Sequence, residues 1–572
     1  MKLDKDILIG VFICALVLFG WDPLCRYMGW VSEPQPAAAA QTVSPAKESA
    51  SAAPSAAEQN KLSVKKETTG AAVADQNAVE LKKLPAIEIS NEKLVFSIDQ
   101  NSGDVAKITL KDYRNSKRDG NVVLDTRLRS NGTLPGAFGV FSGKEQWKTA
   151  AVVKAEKNGD SVKLVRKIVS KSFPQGILIE QNWKIGDKYA AVYSVKFINN
   201  TKEYATVDAV VSGGDLAPWQ YASGDKVRIP THRLDYLTTD GDFNDIKADA
   251  KESKFFRDPA PQVDWAAVGN KYFCSIIDSA DPFTLWQGRS YIKSGEDSLP
   301  AIAVGAKIKP FELSPGEVKS FEFKLYNGPK IISQLDAFNP GTGRVMHLAW
   351  GPLDYLARLL LWVLVKFNDV LHSYGWSIIC LTIVVRLLFY PVTAKANSSM
   401  KKMQLVQPQL KELREKYKDN PQLLNTKMME LYRKEGVNPF GGCLPILLQI
   451  PVFFALYATL DGAVELRQVA FWWCKDLAAA DTVAKIPLYF FDLPINPLVL
   501  AMTLLMALQQ RMTPMSGDPM QKKMMMMMPA FMLIFLYDLP SGLTLYWTVS
   551  NLFSIIQLKL QQRAGKVSVA AK

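Results

Sequence analysis

The sequence has few of the residues from which catalytic and metal sites are built. Its 572 residues include three histidines and six cysteines. The cysteines lack the short spacings of a metal site, and Cys14, Cys380 and Cys443 fall in apolar stretches. We therefore expect neither a bound metal nor a disulfide framework. The hydrophobic content of 48% and the mean hydropathy near zero average two unlike halves, because long apolar runs are confined to the second.

The net charge of +13 raises the question of nucleic-acid binding. Much of the positive excess, however, lies in short segments beside the apolar runs. That distribution orients membrane proteins in the bilayer. We expect contact with phospholipid and no DNA partner.

An apolar run over residues 7–21 follows two lysines near the N-terminus. It fits either a cleaved signal peptide or an uncleaved anchor. The residues directly after it do not form a cleavage pattern, although the tract Ala37–Ala40 offers one further on. We predict a transmembrane anchor over 1–25. A flexible periplasmic tether over 26–84 follows, because its Ala, Ser, Pro and Lys bury too little apolar surface to fold.

Residues 85–345 are predicted to form a large periplasmic β-sandwich. Apolar and β-branched residues are enriched in three stretches, 94–99, 162–169 and 177–183. Turn signals such as Asn158-Gly-Asp separate such stretches at short intervals, and helical periodicity is missing. With one histidine, His232, and no carboxylate pair at a catalytic spacing, a binding or spacing role is favoured over an enzyme.

The remaining chain predicts an α-helical membrane bundle. Helical spacing with interspersed charges over residues 352–371 indicates an amphipathic interfacial helix within the segment 346–375. A core over 376–562 then contains five apolar segments, at about 376–390, 444–460, 498–508, 524–539 and 543–556. Several are shorter than the ~20 residues that a spanning helix needs, so we expect a thinned bilayer or a hydrated bundle.

The charge of the connecting segments predicts the orientation. Residues 387–440 contain ten Lys and Arg against five acids, whereas residues 461–495 contain three against five. The 511–523 connection is also positive, and the tail from Lys559 has no acid. Because positive loops stay in the cytoplasm, we predict six spans with both termini cytoplasmic and a basic cytoplasmic tail at 563–572.

Arg386 lies ten residues into the apolar segment that begins at Trp376. A cation within the bilayer is costly unless it is paired or hydrated, and no carboxylate stands at a matching depth. Two interpretations stay open: the side chain reaches the nearby cytoplasmic end, or it lines a water-filled groove open to the cytoplasm. Polar residues in other spans favour the groove. The predicted groove residues are Arg386, Thr382, Gln449, Gln510 and Ser550.

A helical hairpin is predicted in the cytoplasm over residues 392–436. Apolar residues step by three and four from Met403 to Tyr417, and the turn sequence Asp419-Asn-Pro precedes a second amphipathic stretch. Pro408 is expected to kink the first helix. The hairpin either packs only on itself or also docks ribosomes and incoming chains. The predicted docking cations are Lys401, Lys402, Lys411, Arg414, Lys416, Arg433 and Lys434.

Five consecutive methionines, Met524–Met528, begin the fourth apolar segment of the core. Methionine side chains are flexible and polarizable, so they suit a surface that accepts varied apolar sequences. Ordinary filling of a membrane span explains the run equally well.

Several motifs resemble those of the YidC membrane-protein insertase family. They are Gly375-Trp-Ser-Ile-Ile with Arg386 and Tyr390-Pro, Val437-Asn-Pro-Phe-Gly-Gly-Cys-Leu-Pro, Gln449-Ile-Pro-Val-Phe-Phe-Ala-Leu-Tyr, and Leu539-Pro-Ser-Gly-Leu-Thr-Leu-Tyr-Trp. The likeness covers roughly residues 376–562. A large β insert after the first span is similar to the Gram-negative form, whose outer domain is a β-supersandwich.

The resemblance implies insertion and folding of inner-membrane proteins, alone or beside the Sec translocon. Ribosomes and targeting machinery are implied partners, and no nucleotide, cofactor or covalent catalysis is implied. Arg386 corresponds to the groove arginine of the family, and Thr382 faces the groove with it. The residues implied to contact client segments are Tyr390, Ile450, Phe453, Phe535, Tyr546 and Trp547.

Two other functions remain as alternatives. A transporter of small solutes often carries intramembrane carboxylates or paired broken helices, and neither is evident in the sequence. A membrane-anchored carbohydrate enzyme requires a carboxylate or histidine constellation in the β region, and none is found. The sequence therefore favours the insertase.

Overall fold

The structure is a computed structural model, and it describes most of the chain beyond the predicted tether. The described residues are 84–101, 103–115, 118, 120–125, 138–142, 145–216, 233–247, 260–294, 297–418, 420–437, 444–487, 492–513 and 519–570. The predicted anchor, the tether up to its last residue, and His232 lie outside them. An all-β region comes first in the described part, and a largely helical region follows it.

The β region consists of strands whose apolar and polar residues alternate. The strands are β1 (Ile87–Ser90), β2 (Leu94–Ile98), β3 (Val105–Arg114), β4 (Asn121–Asp125), β5 (Phe138–Ser142), β6 (Glu145–Gln146), β7 (Lys148–Asn158), β8 (Ser161–Val169), β9 (Ile177–Ile185), β10 (Ala190–Ile198), β11 (Ala205–Leu216), β12 (Arg233–Thr238), β13 (Phe243–Lys247), β14 (Gln262–Gly269), β15 (Phe273–Ser294), β16 (Asp297–Leu313) and β17 (Val318–Pro329). In β8, β9 and β10 every second residue is buried, as expected for strands with one face against a core.

Two antiparallel sheets contain these strands. The smaller has the order β1-β2-β3-β4; the larger runs β6-β5-β11-β16-β15-β17-β10-β9-β8-β7, with β14, β12 and β13 branching from β15. The sheets meet where Phe96 packs edge-on against Trp183 at 6.3 Å and the Trp183 indole donates to the Gly103 carbonyl at 2.9 Å. The predicted large β-sandwich is confirmed. Its assignment to the supersandwich subtype remains a prediction.

The helical region begins directly after β17. Its helices are α1 (Ile332–Phe338), α2 (Pro352–Leu371), α3 (Tyr374–Leu388), α4 (Tyr390–Lys416), α5 (Pro421–Lys434), α6 (Leu444–Gly462), α7 (Pro497–Met512), α8 (Pro519–Phe535) and α9 (Ser541–Ala570). A short hairpin of β18 (Ala484–Pro487) and β19 (Asp492–Ile495) lies between α6 and α7. Helices α3, α6 and α7 begin and end within about four residues of the predicted apolar segments. Helix α8 lies four to five residues earlier than predicted, and α9 continues 14 residues beyond the predicted end at 556. Pro408 lies inside α4.

Length and composition give a weaker membrane signal in the structure than in the sequence. Among the described helices, none alone is both long and apolar enough to qualify as a span. The pair α3 and α4 qualifies together and is bent by 59° at the break between them. The number of spans therefore stays a prediction.

One apolar core joins the helices around α3. Buried residues of α2, α3, α6 and α9 form it, among them Leu360, Leu381, Leu456 and Leu543. The Thr459 hydroxyl donates to the Ala357 carbonyl at 2.9 Å, which ties α6 to α2. Helix α2, predicted as amphipathic, thus turns its apolar face toward the bundle.

The connection between α6 and α7 joins the helical region to the β region. Lys271, which precedes β15, forms an ion pair of 2.8 Å with Asp461 at the end of α6, and both side chains are largely buried. The Gln468 side chain donates to the Asn115 carbonyl at 2.7 Å. Arg118 donates to the Lys475 carbonyl at 2.6 Å. Val464 completes the contact by entering the apolar core of the β region.

Glu465 lies within this contact between the two regions. Its Oε2 is buried and has no hydrogen-bond partner among the described residues, and the carboxyl interacts electrostatically with Tyr113 of β3 and Tyr374 of α3. Burial raises the pKa of the Glu465 carboxyl from 4.5 to about 7. Between pH 4.5 and about 7, the Glu465 carboxyl is therefore largely protonated in the native protein and largely ionised in the unfolded chain.

The raised pKa predicts that native stability falls as the pH rises toward and beyond 7. Stabilisation by the bound proton is complete below the unfolded pKa of 4.5 and is lost as the pH rises through about 7. Replacing Glu465 by Gln removes this dependence and raises the unfolding temperature at about pH 8.5. Thermal unfolding of the full chain in detergent at about pH 5.5 and about pH 8.5 measures it.

Glu322→Gln, which replaces an exposed carboxylate on β17, is the matched control. Its unfolding temperature should depend on pH as that of the parent does. An unchanged profile in Glu465→Gln contradicts the assignment of the proton to Glu465.

Candidate functional site

The guanidinium of Arg386 is held between two helices by a neutral acceptor. Arg386 is in the last turn of α3, and its Nε donates to the Ser550 hydroxyl of α9 at 2.7 Å. A terminal nitrogen of the same guanidinium donates to the same hydroxyl. No carboxylate oxygen in the described part of the chain lies within ion-pair distance of Arg386. Its positive charge is therefore hydrogen-bonded but not neutralised.

A second polar pair extends this contact to a third helix. Tyr546 lies one turn before Ser550 on α9, and the Gln449 side-chain amide of α6 donates to the Tyr546 hydroxyl at 2.7 Å. Tyr546 and Arg386 interact electrostatically. The site thus brings Arg386, Ser550 and Gln449 together, as the sequence predicts, and adds the buried hydroxyl of Tyr546 to their polar network.

Further polar pairs continue from Arg386 toward the hairpin. Gln557 donates to the Thr393 hydroxyl at 3.1 Å, and Asn397 donates to the Gln561 side-chain oxygen at 3.3 Å. In both pairs, as in Arg386–Ser550, the partners are 164 residues apart. A constant separation means that α3 and α4 follow α9 in parallel. We call these three pairs the polar seam.

The two remaining predicted groove residues have other surroundings. Thr382 is fully buried, and its hydroxyl donates to the Ile378 carbonyl of its own helix at 2.7 Å. Gln510 is partly buried on α7, about two turns beyond Met502, whose carbonyl accepts a bond of 3.4 Å from Asn551. Their contribution to a groove stays a prediction.

The residues predicted to contact clients differ in exposure. Tyr390, Ile450 and Phe535 are exposed, whereas Tyr546 is buried. Phe453 and Trp547 are partly buried and lie against each other at 4.8 Å, which pairs α6 with α9. Client contact by any of them remains a prediction, and for Tyr546 it requires a side chain that is now enclosed to become accessible.

Helix α8 presents a wider apolar surface than the sequence analysis singled out. Met527, Phe531 and Ile534 are exposed at helical spacing, and Phe531 packs against Phe535 at 4.2 Å. The spacing of four and three residues was the available signal. Flexible methionine and aromatic side chains on one exposed face suit varied apolar partners.

Helices α4 and α5 pack against each other as a hairpin. Met403, Val406 and Leu410 form a small core with Val437, to which residues of α5 add. Six of the predicted docking cations are exposed, and the side chain of Lys401 lies outside the described residues. The exposed cations are Lys402, Lys411, Arg414, Lys416, Arg433 and Lys434.

Sequence reasoning missed Thr393, Asn397, Gln557 and Gln561 as parts of the site. The signal was present: residues 386, 393 and 397 recur with the spacings of 550, 557 and 561. Spacings of seven and four place residues on one helical face. Neither segment alone, however, shows that α3 and α4 pack against α9.

Two known protein families match the two regions of the chain. The family described as 60Kd inner membrane protein matches residues 366–567, and the YidC periplasmic domain matches residues 86–363. The chain belongs to the YidC family of membrane protein insertases.

The full-length match to one relative supports this assignment. The YidC insertase of Cupriavidus necator is 31% identical over 599 aligned positions that cover 100% of both chains. That of Syntrophobacter fumaroxidans is 40% identical, but the match covers 52% of this chain and only 53% of the relative. A crystal structure of an active YidC insertase matches 84% of this chain and 93% of its own at 18% identity, with a TM-score of 0.34.

Removing the Ser550 hydroxyl tests the support of Arg386. Ser550→Ala leaves two guanidinium donors without their acceptor, and we expect a loss of ~1–3 kcal/mol in the free energy of unfolding. Chemical unfolding of the full chain in detergent measures it.

The matched control is Ser554→Ala, one turn along on α9, whose hydroxyl donates to the Ser550 carbonyl within the same helix. The free energy of unfolding of Ser554→Ala should stay within about 0.5 kcal/mol of that of the parent. Equal losses in both variants contradict a special role for Ser550.

Proposed function

We propose that this chain inserts transmembrane segments of nascent inner-membrane proteins into the bilayer and assists their folding, alone or with the Sec translocon. A hydrated, positively charged groove around Arg386 receives the polar part of the client. The exposed apolar faces of α6 and α8 receive its transmembrane segment. No covalent catalysis or nucleotide is required.

The observation that carries the proposal is the arginine bonded to a hydroxyl rather than to a carboxylate. A neutral acceptor lowers the cost of keeping the cation out of bulk water but leaves its field uncancelled. That field attracts an acidic or polar segment. The polar seam supports a path to the site, because its side chains offer hydrogen bonds in place of those lost with water.

The proposed placement is a multi-pass inner-membrane protein with six spans. The segment 1–25 anchors the chain, 26–84 tethers the periplasmic β domain, and both termini are cytoplasmic. The charge of the connecting segments supports this orientation. In it, the contacts of Asp461 and Gln468 with the β domain lie in the periplasm, and the hairpin of α4 and α5 lies in the cytoplasm.

The hairpin is proposed to dock ribosomes or targeting machinery. Its exposed cations include Lys402 and Lys411 of α4 and Arg433 of α5. Ribosomal RNA is polyanionic, so clustered exposed cations favour its approach through long-range attraction. The apolar contact between the two helices supports a preformed docking element.

Photocrosslinking at Phe453 and Phe535 tests the apolar client path. With a photoreactive phenylalanine analogue at either position, nascent transmembrane segments should be trapped during synthesis, because both side chains lie on the proposed path. The same analogue at Tyr204, an exposed aromatic of the β domain, is the matched control. Capture at Tyr204 as efficient as at Phe453 and Phe535, or capture of lipid alone at both, contradicts the path.

Substitution of Arg386 tests the electrostatic part. Arg386→Ala should lower insertion of clients with charged translocated ends about tenfold, which corresponds to a loss of ~1.4 kcal/mol. Arg386→Lys should retain much of the activity, because it keeps the positive charge. Protease protection of the translocated end in vivo measures insertion.

Arg511→Ala, which removes an exposed cation at the end of α7, controls for the loss of charge and should insert normally. Full activity of Arg386→Ala is incompatible with the electrostatic role and reduces Arg386 to an anchor at the cytoplasmic end.

A further inference from the structure

Four aromatic side chains form a continuous surface where the α6–α7 connection meets the start of α3. Phe471 stacks on Trp472 at 4.8 Å, and Trp376 stands perpendicular to both at 5.7 and 6.1 Å. Trp473 continues the row at 5.8 Å from Trp472. Trp376, Trp472 and Trp473 are 48%, 63% and 44% exposed, while Phe471 is buried beneath them. We call these four residues the aromatic row.

The backbone is strained in a way that presents Trp472 outward. Phe471 and Cys474 exchange both of their backbone hydrogen bonds at 2.9 Å, so the two tryptophans occupy the tip of a tight turn. Trp472 has φ of 51°, a conformation that is unfavourable for a bulky side chain. Gly375 permits the packing beneath, because a Cβ there would overlap the ring of Phe471. This turn leaves Trp472 exposed above the buried Phe471.

The row continues an exposed apolar stripe of α3. Ile383 and Leu387 follow Trp376 by seven and eleven residues, and all three are exposed on one face of the helix. The opposite face, with Ile378, Leu381 and Val385, is buried in the bundle. If α3 crosses the bilayer as proposed above, this stripe faces acyl chains, and the row lies at the outer end of the same face.

We propose that the aromatic row binds the headgroup and glycerol zone of the outer leaflet of the phospholipid bilayer and anchors the periplasmic end of α3 there. Tryptophan prefers this zone because its ring is apolar and its N–H is polar. The Trp473 N–H donates to Asp481 at 3.0 Å, which fixes the orientation of that ring. The exposed Lys475 beside the row suits lipid phosphate. The inference rests on the proposed membrane placement.

An anchor at Trp376 sets the depth of Arg386. Ten helical residues separate them, which is ~15 Å along a helix axis. The hydrocarbon core is ~30 Å thick, so an untilted α3 holds the guanidinium near the midplane. The row therefore determines how far a client's polar end must travel from the cytoplasm to reach the charge.

Photocrosslinking to lipid tests the anchor. The full chain, in inner-membrane vesicles with isotope-labelled glycerophospholipid, carries p-benzoylphenylalanine at position 472 in place of Trp472. We expect at least about tenfold more labelled lipid attached there than at Tyr204, because only the former lies in the interfacial zone. Tyr204 is 69% exposed and on the β domain, so it matches Trp472 in exposure but not in expected surroundings.

A second position guards against misfolding of the first variant. The same analogue at Trp473 should also capture lipid, at lower yield because it is less exposed. Capture of a protein at both positions, or lipid yields equal to that at Tyr204, overturns the anchor. Capture of nascent segments at Phe453 is measured separately. If nascent segments are captured at Phe453 but lipid is not captured at Trp472 and Trp473, the lipid anchor is wrong and the proposed insertase function stands.

Discussion

The cost of keeping a guanidinium away from bulk water constrains the whole helical region. Arg386 is permanently charged, and in the described structure it is bonded to the hydroxyl of Ser550 rather than to a carboxylate. Such an arrangement is tolerable only with good hydrogen-bond geometry and some remaining water. It requires α3 and α9 to lie side by side, and Gln449 bonded to Tyr546 holds α6 in the same arrangement. An acidic partner would have stabilised the arginine more, but it would have cancelled the field on which the proposed function depends.

The parallel register of α3 and α4 with α9 follows from the same requirement. Although α3 and α4 meet at 59°, the separation of 164 residues is kept from Arg386–Ser550 to Asn397–Gln561. Apolar packing alone tolerates sliding by small steps, whereas paired amides and hydroxyls lose their partners when they slide. The polar seam therefore fixes the direction in which the hairpin leaves the bundle.

Local sequence patterns predicted the elements well, and tertiary contacts poorly. The amphipathic helix was predicted at 352–371 and begins and ends there, because its apolar spacing and Pro352 at the first helical turn are local signals. Arg386, Ser550 and Gln449, which the sequence analysis grouped as polar residues in apolar segments, lie close together in the structure, and their role as a groove stays a prediction. The ion pair of Lys271 with Asp461 could not be predicted, because the two residues are 190 apart and neither has a local signature. Trp472 was unremarked for a similar reason, since its turn and exposure depend on Phe471 packing over Gly375.

The contacts at the two ends of α3 explain why this helix is short. Its fifteen residues span ~22 Å, less than the ~30 Å of hydrocarbon that a span usually crosses. At one end Trp376 belongs to a row suited to the interface, and at the other Arg386 begins a polar seam. In the proposed membrane placement, Trp376 at the outer interface leaves Arg386 ~15 Å deep, so α3 ends well short of the far side of a ~30 Å core. In that proposed placement the bilayer thins around α3 or admits water at its cytoplasmic end, and both responses shorten the apolar barrier for a polar segment. Under the proposed function, the shortness of α3 thus contributes to insertion rather than being a defect in anchoring.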